Sequence, residues 1–144
     1  MPRFMYLIKA DKMAEGDMKD VPIGIFEEMN KYNESLNEAG LLIDAGGFAP
    51  TKLDAYRLKY SGSGEPEVQS GPFDVEAEAH VCGYWVVKTK DAEEALTWAK
   101  KIPFKGGELT VRRIADTADI ENFPEDLKKK EDKIFADAAA RAKQ

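Results

Sequence analysis

An α+β sandwich of two βαβ units joined through a hairpin is the fold that the sequence predicts. Strand-like and helix-like hydrophobic periods follow one another in the order β-α-β, hairpin, β-α-β. The two helical patterns are short enough to lie as one layer on a single sheet. Turn residues fall between the patterns, at Gly40, Ser61-Gly-Ser-Gly64, Gly71-Pro72 and Pro103. This is the ferredoxin-like order of elements.

Residues 3–10 alternate Phe4, Tyr6 and Ile8 with Arg3, Met5, Leu7 and Lys9. Apolar side chains at most positions of both sets predict a central strand covered on both sides. Residues 11–21 form a polar connection containing Gly16. Pro22 then suits a first helical turn, with Asp20 as its nearby cap. Ile25, Phe26, Met29, Tyr32, Leu36 and Ala39 keep helical spacing until Gly40 ends the helix. Residues 41–44 open a second strand, which Gly46-Gly47 and Pro50 are expected to interrupt. Residues 53–60 and 65–69 read as the arms of a hairpin around the Ser-Gly turn, and Gly71-Pro72 breaks that edge. Residues 79–89 carry the strongest strand pattern of the chain.

Asp91 with Glu94 makes a capping-box-like helix start. The apolar face of that helix is expected at Ala92, Ala95, Leu96, Ala99 and Ile102, and Pro103 stops it. Lys105-Gly-Gly107 turns into a strand over 108–114. From Pro124 onward a highly charged helix bears a sparse stripe at Leu127, Ile134, Phe135 and Ala138. The predicted organisation is one domain over 1–115 and a C-terminal charged helical arm over 116–144. Helices on one side leave the other sheet face substantially apolar. A second copy of the same sheet covers it most economically, so a homodimer closing into a dimeric α+β barrel is expected.

Composition excludes several classes. A chain of 144 residues suits one domain, and 33% charged residues with 43% apolar ones are explained by a polar helix at one end. The net charge of −6, with no Lys/Arg stripe to offset it, argues against a nucleic-acid partner. Lys128–Lys130 sits among acids and reads as a solvated helix face. One cysteine makes no internal disulfide and implies no oxidising compartment. The apolar stretch at the start is too short for a signal peptide or a membrane span, so a cytoplasmic location without a membrane partner is expected. One histidine and one cysteine fall short of a zinc ligand set, and Gly62-Ser-Gly64 is a hairpin turn that follows no strand-to-helix step. No metal and no cofactor are expected.

The chemistry concentrates in residues 70–85, Ser-Gly-Pro-Phe-Asp-Val-Glu-Ala-Glu-Ala-His-Val-Cys-Gly-Tyr-Trp. As a strand, this segment would project Glu76, Glu78, His80, Cys82 and Tyr84 from one face. That face either meets water or lines a pocket. In the catalytic reading, Glu76 or Glu78 orients and charges His80 for general-base work. In the structural reading, the same residues are a polar edge, and the histidine is satisfied by a backbone carbonyl. Tyr6 and Tyr84 are either hydrogen-bond donors in a pocket wall or core residues with a wet hydroxyl. Asp44 faces the same cavity or serves a turn or edge. Arg112 either holds an anionic ligand group or makes a cross-strand ion pair, and Lys9 is the alternative anchor. Ser70 reads as a loop-capping hydroxyl, Phe73 as apolar contact for a ligand, and Cys82 as a small buried apolar residue.

Across the whole chain, several stretches in order resemble the YCII-related proteins, in particular the DGPF-domain subgroup. They are Phe4-Met-Tyr-Leu-Ile-Lys-Ala-Asp11, Met29-Asn-Lys-Tyr-Asn-Glu-Ser-Leu-Asn-Glu-Ala-Gly-Leu-Leu42, Ser70-Gly-Pro-Phe73, Gly83-Tyr-Trp85, the run from Lys88 to Pro103, Gly107-Glu-Leu-Thr-Val-Arg112 and Pro124-Glu-Asp-Leu127. The resemblance implies a ferredoxin-like protomer that pairs into a dimeric α+β barrel, with dehydrochlorinase-like and cofactor-free monooxygenase-like activities among the relatives. The chain departs from the family pattern at Ser70, which replaces the aspartate that names the motif, at Gly46, which replaces a glutamate, and at Ala49, which replaces a histidine. One extra residue lies between Phe73 and Gly83, and Arg112 matches a family arginine. Two functions are compatible with these residues. One is a cofactor-free enzyme that moves a proton on a small molecule; the other is a non-catalytic binding or accessory protein.

Overall fold

The alternation at the start of the chain is realised as β1 (Arg3–Lys9), whose Phe4 and Tyr6 are buried on one face. The computed structural model describes residues 1–144. After a short 3-10 turn at Met18–Asp20, α1 runs over Ile23–Glu38. Asp20 lies within that 3-10 turn and does not cap the helix; Pro22 takes the cap position with no side-chain hydrogen bond. The stripe that packs inward is Met29, Tyr32 and Leu36, while Phe26 points out at 49% exposure, one position off the stripe. Gly40 ends the helix with φ +74, a conformation that glycine adopts without strain.

Gly46 and Gly47 do not interrupt β2 (Leu42–Gly47), because they pair with Tyr84 and Gly83 of the neighbouring strand. The expected hairpin is β3 (Tyr56–Lys59) with β4 (Glu67–Ser70), a separate two-stranded antiparallel sheet. The strongest strand is shorter than its pattern, β5 (Val81–Lys88). Helix α2 (Ala92–Ala99) starts at Asp91, whose carboxylate accepts the Glu94 N–H at 2.8 Å. Its buried face is Ala95, with Trp98 and Ala99 packed beside it, and Leu96 is 47% exposed. The last strand of the sheet is β6 (Leu109–Arg113).

The main sheet has the order β2-β5-β1-β6, with every neighbouring pair antiparallel. Each βαβ unit is therefore split, with a strand of the other unit filled in between: the ferredoxin-like α+β fold. Its core lies between the sheet and the two helices and contains Phe4, Tyr6, Tyr32, Leu36, Trp85 and Val87. Two buried phenols tie α2 down: Tyr6 donates to the Ala95 carbonyl at 2.6 Å and Tyr32 to the Trp98 carbonyl at 2.8 Å. Tyr32 also meets Trp85 edge-on at 5.5 Å, and the indole N–H of Trp85 donates to Asn33 at 2.7 Å. Removing the fully buried Leu36 side chain by Leu36→Ala is expected to cost about 2–5 kcal/mol.

The chain divides into two compact units, Met1–Arg113 and Ile114–Gln144. In the second, α3 (Glu125–Arg141) has acids in its first turn and Arg141 in its last, which complements the helix dipole. It buries no residue, and Ile134 and Phe135 are more than half exposed. No helix of the chain is long and apolar enough to cross a membrane.

Candidate functional site

The single-face arrangement expected for residues 76–84 does not form. Residues 75–77 are a turn and Glu78 a bend, so the glutamates precede β5 and do not share its alternation. The reason is local hydrogen bonding. The Asp74 carboxylate accepts the Glu76 N–H at 2.9 Å, and the Asp74 carbonyl accepts the Glu78 N–H at 2.8 Å, which winds the segment back on itself. Glu76 is left exposed and paired with Lys12 at 3.1 Å. The Glu78 carboxylate pairs with Arg57 of β3.

His80 finds a different carboxylate. Its Nε2 lies 3.2 Å from Glu15, and its Nδ1 lies 3.2 Å from the Glu78 carbonyl oxygen. Only 11% of the His80 side chain and 18% of the Glu15 side chain reach the surface. Both oxygens facing the ring are acceptors, so the ring makes both hydrogen bonds when it carries both protons. Thr51 completes the arrangement. Its hydroxyl donates to Glu15 at 2.5 Å, its N–H donates to the same carboxylate at 3.2 Å, and its hydroxyl oxygen accepts the Phe73 N–H at 2.8 Å. Burial pushes the Glu15 carboxyl upward, but the hydrogen bonds from Thr51 and His80 outweigh it and hold the group below its ordinary value.

The corner that aligns these groups is Gly71-Pro72, joined by a cis peptide bond. A Cβ at Gly71 would fall on the Thr51 carbonyl oxygen, so only glycine allows the two backbones to lie this close. Beyond the corner, the Phe73 ring meets His80 edge-on at 5.8 Å and carries the Arg57 guanidinium over its face at 4.3 Å. A cavity of about 460 Å³ opens here, lined among others by Glu15, Phe48, Thr51, Phe73, His80 and Cys82. That volume suits a small organic molecule. Burial, and then the charge of Asp11, push the Cys82 thiol up, which keeps it neutral.

The remaining candidates lie elsewhere. Tyr6 projects to the helix side of the sheet and is fully buried, so it lines no cavity; burial pushes its phenol up to about 12. Ser70 ends β4 opposite Tyr56 and is exposed. Tyr84 donates to Asp44 at 3.0 Å and packs on Phe48 at 5.8 Å. The hydrogen bond to Asp44, and then its charge, push the Tyr84 phenol up. The Tyr84 ring lies 3.1 Å from where a Cβ of Gly46 would sit, so it fills the place that a longer side chain at 46 would take. Lys9 pairs with Glu108 at 3.7 Å, and Lys9 and Arg112 line a second depression of about 330 Å³ that also reaches His80. No three His, Cys, Asp or Glu side chains converge as a metal-ligand set.

Sequence reasoning missed Glu15, Thr51 and Arg57. Glu15 lies in the polar connection between β1 and α1. That connection is long for a strand-to-helix link, and its length is the one feature of the sequence that marks it as a candidate functional loop. Among known proteins, a family model described as the YCII-related domain matches residues 3–118. No curated protein matches the chain.

Proposed function

The chain belongs to the YCII-related domain family, and from that premise we propose that it binds a small organic molecule in the cavity walled by Glu15, Thr51, Phe73 and His80. The observation that carries this reading is the Glu15–His80 pair, nearly buried at 3.2 Å on the wall of a cavity of ligand size. Phe48 and Phe73 supply apolar contact, and the Glu15–His80–Thr51 network supplies the polar end that fixes orientation. The Glu15 carboxylate and the Glu78 carbonyl oxygen, one at each ring nitrogen, fix the plane of the His80 ring beside the ligand.

The same pair favours a second reading, a cofactor-free enzyme that moves a proton on the bound molecule in the manner of a lyase, dehydrochlorinase or monooxygenase. In it His80 is the proton-transfer group, Glu15 takes the positioning role that Glu76 and Glu78 were expected to fill, and Glu78 contributes its backbone carbonyl. Small-molecule screening by thermal shift separates the outcomes. Ligands that stabilise the wild type and lose their effect in His80→Ala and Glu15→Gln support the binding site. Turnover of such a ligand, abolished by His80→Ala, adds catalysis. Ligand effects unchanged in both variants contradict the proposal.

We extend the proposal to a homodimer closed through the sheet face opposite the helices. On that face Met5 stands beside Val86 and Leu7 beside Tyr84, while Arg3 and Lys88 border them at one end. An apolar centre with a charged rim is the anatomy of an interface. Sedimentation at micromolar concentration tests it, with a dimer expected and a stable monomer as the contrary result.

A further inference from the structure

His80 lies on the wall of two depressions. One is the cavity already described. The other, on the sheet side, is lined by Lys9, Glu108, Thr110 and Arg112 and meets the first at His80 and Val81. The register explains how these residues converge. Arg112 stands opposite Met5 and Thr110 opposite Leu7, while Lys9 donates its N–H to the Glu108 carbonyl at 3.1 Å. Arg112, Thr110 and Lys9 therefore project from one face of the sheet at its β1–β6 side. The Arg112 side chain has no ion pair or hydrogen bond within the chain. Lys9 is held only by Glu108 at 3.7 Å, with the two side chains 48% and 68% exposed. Such a pair is weak and yields at little cost to a better anion.

We propose that this second depression is the anion-binding half of the ligand site, and that the ligand is an organic carboxylate. Its carboxylate rests on the Arg112 guanidinium, a planar fork that matches carboxylate geometry, with the Lys9 ammonium as second partner. Its body passes His80 and Val81 into the larger cavity and ends against Phe73. This rests on the reading of the larger cavity as a small-molecule site, and it names the chemical class that site takes. In a chain of net charge −6, the unpaired guanidinium and the ammonium, set against the one carboxylate of Glu108, offset the repulsion that an anion meets.

The experiment measures dissociation constants by calorimetry for matched aryl carboxylates and their neutral amides, benzoate with benzamide and phenylacetate with phenylacetamide. The full chain is compared with Arg112→Gln, Arg112→Lys, Lys9→Gln and His80→Ala. The expected result is a carboxylate preference of about tenfold or more, lost in Arg112→Gln and partly kept in Arg112→Lys, at unchanged melting temperature. Amide affinity stays the same in Arg112→Gln and falls in His80→Ala. Equal affinity for carboxylate and amide, a carboxylate preference indifferent to Arg112, or no binding of either carboxylate overturns the inference. A neutral ligand that depends on His80 and not on Arg112 overturns it too, while leaving the larger cavity as a binding site. Ligand effects indifferent to both His80 and Arg112 remove both.

Discussion

Glu15 and His80, 65 positions apart in the chain, meet at 3.2 Å, and Thr51 holds the carboxylate from its other side. Three segments thus converge on one carboxyl group: the β1–α1 connection, the loop before β3 and the segment leading into β5. Two further ion pairs hold these segments, Lys52 with Asp17 at 2.5 Å and Lys12 with Glu76 at 3.1 Å. The candidate site is therefore an assembly of loops at one end of the sheet, supported by the rigid β5 strand.

Because the Glu15 carboxyl is held below its ordinary value, its contribution to stability is present above the unfolded value of about 4.5 and is lost as pH falls through the depressed folded value. His80, Lys52 and the Cys82 thiol are the titratable groups that face it. Urea denaturation of the wild type and Glu15→Gln at pH 7 and pH 4 checks this. The gap between the two proteins is expected to narrow at the lower pH. Thr51→Val, which removes the hydroxyl that bridges Glu15 and Phe73, is expected to cost about 1–2 kcal/mol at neutral pH.

Gly71→Ala and Gly24→Ala are expected to act in opposite directions. A Cβ at position 71 meets the Thr51 backbone, so the variant loses about 2–3 kcal/mol or more, and the Thr51–Phe73 contact opens. A Cβ at Gly24, within α1, meets nothing within 4 Å, so this variant gains about 0.5 kcal/mol from its higher helix propensity. Chemical denaturation of the two variants measures both signs.

Most of the scaffold was legible in the sequence, and the physical reason is that its signals are local. Period-two alternation marked β1 and β5, Asp91 with Glu94 marked the start of α2, and Gly40 marked the end of α1. Each depends on residues within a turn or two of one another. The site was only half legible. His80 and Phe73 stood out because a lone histidine and a Gly-Pro corner are visible in one dimension. Strand alternation alone offers Glu76 or Glu78 as the carboxylate partner, but the Asp74 turn breaks that alternation upstream of β5. Glu15, Thr51 and Arg57 reach the site only through tertiary folding, which no short-range pattern records.

Tyr6 gives an alkaline counterpart to Glu15. Its phenol is raised to about 12 by burial, and then by the charge of Glu94, so its contribution is complete below the ordinary value of 10 and is lost as pH rises through the folded value. Stability is expected to fall between about pH 10 and pH 12, and Tyr6→Phe is expected to remove part of that fall. At neutral pH the same variant costs about 1 kcal/mol, because the hydrogen bond to the Ala95 carbonyl is gone. Denaturation followed against pH for the two proteins makes the comparison.

Arg57 joins the β3–β4 hairpin to the site through Glu78 and the Phe73 ring. Arg57→Ala is expected to raise amide hydrogen exchange over residues 71–78 by about tenfold, since both a charge-assisted hydrogen bond and a cation–π contact are lost. Exchange in α1 and β1 is expected to stay unchanged. Arg57→Lys keeps the charge but not the planar fork and is expected to fall between the two. Hydrogen-exchange mass spectrometry resolves these segments.

A fragment screen of the isotope-labelled full chain, followed by amide NMR shifts, decides whether the Glu15–His80 cavity is a small-molecule site. Hits are expected to perturb Thr51, Phe73, His80 and Cys82 together, and Glu15→Gln is expected to remove those perturbations while the spectrum elsewhere stays the same. Hits that cluster away from these four residues, or that are indifferent to Glu15→Gln, would contradict it.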